Sequence, residues 1–490
     1  MKTSKTKNPS IFIAIAILVF LVVMLYFTIK TFGVDSLGGG SQIALLLTSF
    51  LCIFIGTVFY KKPWEDYEEA IKDSVGGVGS AVIILLVIGA LGGAWMISGV
   101  VPTLIYYGLQ IIHPTIFLFA TCVLCAIVSL VIGSSWTTIA TVGVALIGIG
   151  QAYDYNEALV AGAIISGAYF GDKMSPLSDT TVVASSSSGT PLFEHIKYMT
   201  ITTVPSLLIT LVIFAVIGFL HVDEGGVCPE ELSVKLTERF LISPWLLLVP
   251  VFTGILIAKK LPPIVTLFLS TIAAIIVAVI FQKEAIYEVA GSEDLFKGAT
   301  MTLFGSTALE SDHDLLEELI STGGMGGMLH TVWLVICAMT FGACMKACGL
   351  VDVMTEYCRR LITKRGPLVG TTVATGFFLN VTTADQYLSI ILTSSLFKEV
   401  YEKNGYENRL LSRSLEDGAT VTSPLVPWST CGMTHSTILG VSTFAYFPYC
   451  FFCYLSPIIS ILIATLGYKV FRRNENGEFV PVNKTQKMIN

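Results

Sequence analysis

The stretch GDKMSPLSDTT, residues 171–181, sets Asp172, Lys173 and Asp179 around Pro176 in a chain that otherwise carries little charge. Of its 490 residues 53% are hydrophobic and 13% charged, against roughly 25% charged in an ordinary soluble domain. From Ser74 to Tyr153 there is no Asp, Glu, Lys or Arg at all. A soluble fold cannot hide such a run, whereas a hydrocarbon core about 30 Å thick is matched by blocks of about 20 apolar helical residues. The chain reads as an all-α polytopic membrane protein, because backbone groups in lipid must pair within their own segment and no ten-residue alternating strand pattern occurs. The charged stretch is then an interruption inside a span.

The apolar run IFIAIAILVFLVVMLYFTI, residues 11–29, follows a basic start but has no small-residue cleavage site. A second run at 42–60 comes soon after, so both are read as retained helices rather than a signal peptide. The net charge of −6 reflects acidic loops and gives no sign of a nucleic-acid partner. Cys122, Cys125, Cys344, Cys348, Cys450 and Cys453 sit in apolar runs without neighbouring His or carboxylate clusters, which suits packing rather than metal binding. Cys228 lies alone in a polar loop and argues against a disulfide framework.

The chain also repeats itself. EEAIKDSVGGVG from Glu68 returns as EELISTGGMGG from Glu317, GAWM at 93 returns as GACM at 342, and SPL at 175–177 returns as SPL at 423–425. The run at 42–60 corresponds to 262–281, with an insertion near 282–315. Glu317 and Glu318 read as a solvated face. The expected division is a first repeat over 1–220, an acidic external loop over 221–242, and a second repeat over 243–490 with an inserted external segment at 282–315.

Loop charge orients the halves, because Lys and Arg beside helix ends stay cytoplasmic. Lys61 and Lys62 face an acidic counterpart at 282–314, while Arg359, Arg360, Lys364 and Arg365 correspond to the uncharged GLQIIH at 108–113. Lys403, Arg409 and Arg413 correspond to QAYDYNEA at 151–158. Equivalent loops therefore fall on opposite sides, the pattern of inverted repeats whose broken helices form a site near the bilayer midplane. With re-entrant hairpins in each half, about 10 to 14 membrane segments are expected.

Each half has two interruptions, GSSWTT at 133–138 and GDKMSPLSDTT at 171–181, then NVTTADQ at 380–386 and EDGATVTSPLVPWST at 416–430. Breaks free carbonyls that need a cavity or an ion, and a hard cation such as sodium takes carbonyl, hydroxyl and carboxylate oxygens. The candidate ligands are Ser134, Ser135, Thr137, Thr138, Ser175, Ser178 and Thr180 from the first half. Asn380, Thr382, Thr383, Ser423, Ser429 and Thr430 are their counterparts. An ionised side chain at the bilayer centre costs about 2.5 to 3.5 kcal/mol on insertion scales. Asp172, Lys173, Asp179, Asp385 and Asp417 therefore call for a function. Burial favours the protonated form of an aspartate and a bound cation favours the ionised form, so one group can serve sodium and proton in turn. Sodium is assigned to Asp179 and Asp385 with Ser175 and Ser423, and proton coupling to Asp179, Asp385 and Asp172.

Plainer readings stand beside these. Ser, Thr and Gly also occur at helix contacts because they let backbones approach. Asp172 and Lys173 suit a structural ion pair, Asp417 a solvated position near a basic loop, and Trp136, Trp428 and His435 packing.

SGAYFGDKMSPLSDTT, residues 166–181, closely resembles the signature of the NhaC family of sodium/proton antiporters. DQYLSI at 385–390 and EDGATVTSPLVPW are similar to that family as well, so the likeness runs from about residue 40 to 468. The resemblance implies a multi-pass antiporter of a bacterial cytoplasmic membrane with both termini in the cytoplasm. It needs no cofactor, and its partners are lipid, sodium and protons, with a homodimer among the assemblies open to it. Relatives bearing this signature include sodium-coupled exchangers of malate and lactate and amino-acid carriers, so an organic substrate is the alternative. The chain has no HExxH, GxSxG or GxxxxGK[ST], which argues against a hydrolase or an ATP-driven pump.

Overall fold

The computed structural model describes residues 9–32, 38–220, 229–259, 261–307, 309, 322–353, 365–474 and 478–482. Cys228, Glu317, Glu318, Arg359, Arg360 and Lys364 lie outside the described residues. Among these, eight helices are long and apolar enough to cross a membrane, or up to ten if two sharply bent pairs each count as one span. The chain is thus a multi-pass helical membrane protein. Among the described residues a two-stranded hairpin also occurs, Phe471–Arg473 with Phe479–Pro481.

The first half shows what its interruptions build. Helix Phe117–Ile132 ends at Gly133, whose φ of 73° is left-handed, and the chain turns back through Ser135–Thr138 to Val144–Ala152. Tyr153 and Tyr155 return to the level of Phe117, with their hydroxyls donating to the Ile112 and Pro114 carbonyls. Residues 114–152 therefore form a hairpin. Helix Glu157–Met174 runs parallel to its first leg, breaks at residues 175–178 beside the hairpin tip, and continues as Asp179–Ser188. The hairpin tip reaches only the level of the break, which makes it re-entrant, while 157–188 is one broken span. Helix Leu192–Leu220 returns, with Gly218 against the Thr115 carbonyl.

The second half repeats these elements. Arg365–Thr383, left-handed Ala384 and Gln386–Lys403 make its hairpin, and Asn408–Leu415 with Glu416–Thr420 makes the broken span that resumes as Thr430–Leu439. Positive-φ residues mark equivalent corners: Gly133 with Ala384, Asp154 with Gly405, and Gly189 with Gly440, each pair 251 residues apart. The break-resuming helices begin at caps Ser178 and Ser429, again 251 apart. The SPL triplets, 248 apart, are thus three residues out of structural register, because the second break is longer than the first.

Direction is inverted. Gly189 lies against Lys398 and beside Asn408, whereas Leu439 lies beside Gly143, so the broken spans 157–188 and 408–439 run antiparallel. The halves also exchange helices. Gly40–Tyr60 packs on Leu329–Ala347 of the second half, and Pro263–Phe281 packs on Gly79–Ile97 of the first, where Trp95 Nε1 donates to Ser270 Oγ at 3.1 Å.

Two expected loops are helical. Residues 229–239 form the helix Pro229–Arg239, with Leu232 and Leu236 buried in the core. The described part of the insertion folds as Lys283–Ala290 and Leu295–Phe304, and Thr302 presents its carbonyl to Gly93. Arg239 and Glu288 form an ion pair that joins the two regions.

Candidate ion-binding site

Close backbone approach sets the site. Gly167 and Gly171, four apart on one face, lie over the carbonyls of Cys122 and Ala126, and a Cβ on either would sit 2.2 to 2.4 Å from that oxygen. Small residues at this spacing let two membrane helices meet at backbone distance. The contact brings the end of helix 157–174 to the hairpin tip. There Ser135 Oγ donates to Asp172 Oδ2 at 2.7 Å. In the second half Asn380 Nδ2 donates to the Ala419 carbonyl at 2.6 Å, and Thr430 N to the Ala384 carbonyl at 2.8 Å.

Four helices begin at these tips and breaks, each with a side-chain cap. Ser134 accepts from Thr137 N at 3.2 Å, Ser178 from Thr181 N at 3.4 Å, Asp385 Oδ1 from Leu388 N at 2.8 Å, and Ser429 from Gly432 N at 3.0 Å. In lipid these orphan amides have no water to turn to, so the caps keep interrupted backbone tolerable at mid-depth.

Between the halves lies a cavity of about 610 Å³. Asp172, Asp179 and Asp385 line it, with Ser134, Thr137 and Thr180. Asp172 is 5% exposed, Asp385 half-buried and Asp179 exposed into the opening. Three carboxylates and several hydroxyls around one space can replace the hydration shell of a small cation. The cavity extends from the breaks to Gly77, Ser80 and Pro262. Lys259 stands three residues before Pro262 in the same loop.

Ser135 and Thr430 line the cavity as well, whereas further expected residues are elsewhere. Ser175 is buried and accepts from Leu177 N at 3.2 Å, Thr138 donates to the Ser134 carbonyl at 2.9 Å, and Thr383 donates to the Leu379 carbonyl at 2.8 Å. Asn380 and Ser423 are buried near the second break, with Asn380 Oδ1 and Ser423 Oγ lacking partners among the described residues. Asp417 is not solvated. It is 0% exposed, ion-paired with Lys173, and receives Ser456 Oγ at 2.6 Å and Thr202 Oγ1 at 3.2 Å. Lys173 also donates to Ser456 at 2.9 Å. Lys173 is thus ion-paired with Asp417 rather than with its neighbour Asp172.

Trp136, expected to pack, lines the cavity, as do Gln386 and Tyr387. Only the fold reveals them, since nothing in their local sequence separates them from packing residues. His435 meets Tyr169 Oη at 2.9 Å and packs edge-on to Trp136, joining the two halves. All nine described cysteines are buried and unpaired, in keeping with the packing role.

Antiparallel broken spans, re-entrant hairpins and an acidic cavity between the halves define a secondary transporter. Residues 7–186 and 167–468 match the Na+/H+ antiporter family, and the chain belongs to that family. It is 35% identical over 473 residues to the malate-2H(+)/Na(+)-lactate antiporter of Bacillus subtilis, covering 96% of this chain and 97% of the other. It is 35% identical over 455 residues to the Na(+)/H(+) antiporter NhaC of Alkalihalophilus pseudofirmus, with 90% and 96% coverage. The NhaC antiporter of Bacillus subtilis is 36% identical over 422 residues, with 85% and 91% coverage. The family is one of antiporters, not an enzyme class.

Proposed function

We infer that this chain exchanges sodium for protons across the cytoplasmic membrane of a bacterium. The observation that carries the reading is the convergence of Asp172, Asp179 and Asp385, from breaks in both halves, on one cavity. Sodium sits among these carboxylates with Ser134, Thr137 and Thr180, and protonation of the same region empties the site. Alternating access follows if each half rocks about the cavity, with the Gly133 and Ala384 tips as its walls. Lys259 precedes Leu261 and Pro262 at the cavity opening, so that end is assigned to the cytoplasm. Both termini are assigned to the same side, and the structure is inward-facing on this reading. The test is purified protein in liposomes given a sodium gradient. Proton movement that depends on sodium supports exchange, and downhill sodium flux without protons contradicts it.

A second reading has one observation in its favour. A cavity of about 610 Å³ is far larger than a bare sodium ion needs, and Trp136 and Tyr387 on its wall offer apolar surface to an organic anion. A relative named for malate and lactate exchange gives this reading its substrate class. Sodium flux that requires added malate or lactate would select it.

A further inference from the structure

Outside the cavity lies a fourth buried carboxylate that the three cavity aspartates do not account for. Glu416 begins the π-helical turn Glu416–Thr420 at the second break. It is 0% exposed, and Thr420, one turn on, sets its hydroxyl beside the carboxylate. Lys173 and Asp172 of the first broken span and Asp417 beside it all act on it electrostatically. Arg413 stands one turn back, also 0% exposed, with Nε 3.9 Å from Asp417. Among the charged groups on other helices packed here, Asp179 opens onto the cavity and Lys398 reaches the Ser187 carbonyl, while Glu399, Glu402 and Lys403 are exposed.

The buried charges then sum in an informative way. Lys173 and Arg413 carry two positive charges, and Asp172 and Asp417 carry two negative ones. The set is neutral if Glu416 holds a proton. A sodium ion beside Asp172 adds one positive charge to this set, and Asp179, open to solvent, and half-buried Asp385 offset it less than a group inside the set does. Loss of the Glu416 proton restores neutrality.

We propose that Glu416 is the proton carrier of the exchange, releasing one proton as sodium enters beside Asp172 and taking one back as sodium leaves. One O–H bond of Glu416 breaks and one forms on a water molecule, which takes the proton away. Glu416 is not among the residues that line the cavity, so the aspartates hold the sodium and Glu416 the proton. The proposal rests on the sodium/proton reading above and adds the separation of the two cargoes onto different residues.

The test uses the full chain, wild type and Glu416→Gln, with a pH dye in weak buffer and a sodium-dependent thermal shift. Wild type should release about one proton per sodium bound. Glu416→Gln should keep the thermal shift, release no proton, and show at least tenfold less sodium-driven proton movement in liposomes while still exchanging sodium for sodium. Wild-type proton release by this variant overturns the proposal, and so does loss of its sodium-dependent shift, which would make Glu416 a sodium ligand. If the Gln variant does not fold, Glu416→Asp decides: coupling should persist with a displaced pH profile, and an unchanged profile overturns the proposal. Wild-type protein that moves no protons would instead remove the sodium/proton reading.

Discussion

Asp385 has two roles that substitution separates. Its Oδ1 caps helix Gln386–Lys403, and its charge faces the cavity. Asn caps as well as Asp, whereas Ala forfeits about 1 kcal/mol. Asp385→Asn is therefore expected to melt like wild type yet lose exchange, and Asp385→Ala to lose both, as thermal unfolding and liposome flux would report. The Lys173–Asp417 pair behaves differently. Removing one partner strands a buried charge and costs about 3 to 5 kcal/mol. Asp417→Asn should unfold early in detergent, and adding Lys173→Met should recover much of the loss. At this scale the sequence was readable where charge interrupts an apolar run, which exposed Asp172, Asp179 and Asp385. It was not readable where partners are far apart: Lys173 and Asp417 are 244 positions apart. Glu416 went unread because it adjoins a segment that looks like a basic loop.

Elements meet through glycine. At Gly171 a Cβ would lie 2.4 Å from the Ala126 carbonyl and 2.5 Å from Leu130 N, both backbone atoms that cannot step aside. At Gly133 it would lie 2.7 Å from the Leu177 carbonyl carbon, at a φ of 73° that a side chain resists. Gly171→Leu should prevent assembly of the first half, seen as loss of monodisperse protein. Gly133→Ala should fold less stably, by about 1 to 3 kcal/mol from strain and overpacking, with slowed flux because the hairpin tip can no longer sit on the break. The two-half organisation and the four breaks were legible, since Gly, Pro and hydroxyl clusters cannot continue a lipid-facing helix. Their register was not. A three-residue match such as SPL fixes no alignment when the breaks differ in length, whereas left-handed corners such as Gly133 and Ala384 do.

For the whole molecule, eight to ten apolar spans fall at or below the low end of the expected range. One helix that carries the site is too polar to count: Glu157–Met174 holds Glu157, Asp172 and Lys173. A span buried among other helices needs no apolar surface, so hydropathy passes over it. The helical course of 229–239 was hidden for the converse reason, since its two buried leucines are sparse within a charged sequence. Sidedness gives a whole-molecule prediction. Ser80→Cys and Pro262→Cys, at the opening, should react with an impermeant thiol reagent only from the cytoplasmic side, while the native buried cysteines stay silent. Labelling from outside alone would reverse the orientation. The central claim is that carboxylates from both mirrored halves handle one ion together. It is tested most directly by sodium-driven proton movement in liposomes containing wild type, Asp172→Asn, Asp179→Asn or Asp385→Asn, each first shown to be folded. The account predicts exchange by wild type and its loss in variants of either half; full exchange with Asp385→Asn would contradict it, because the second half would then contribute no charge to the site.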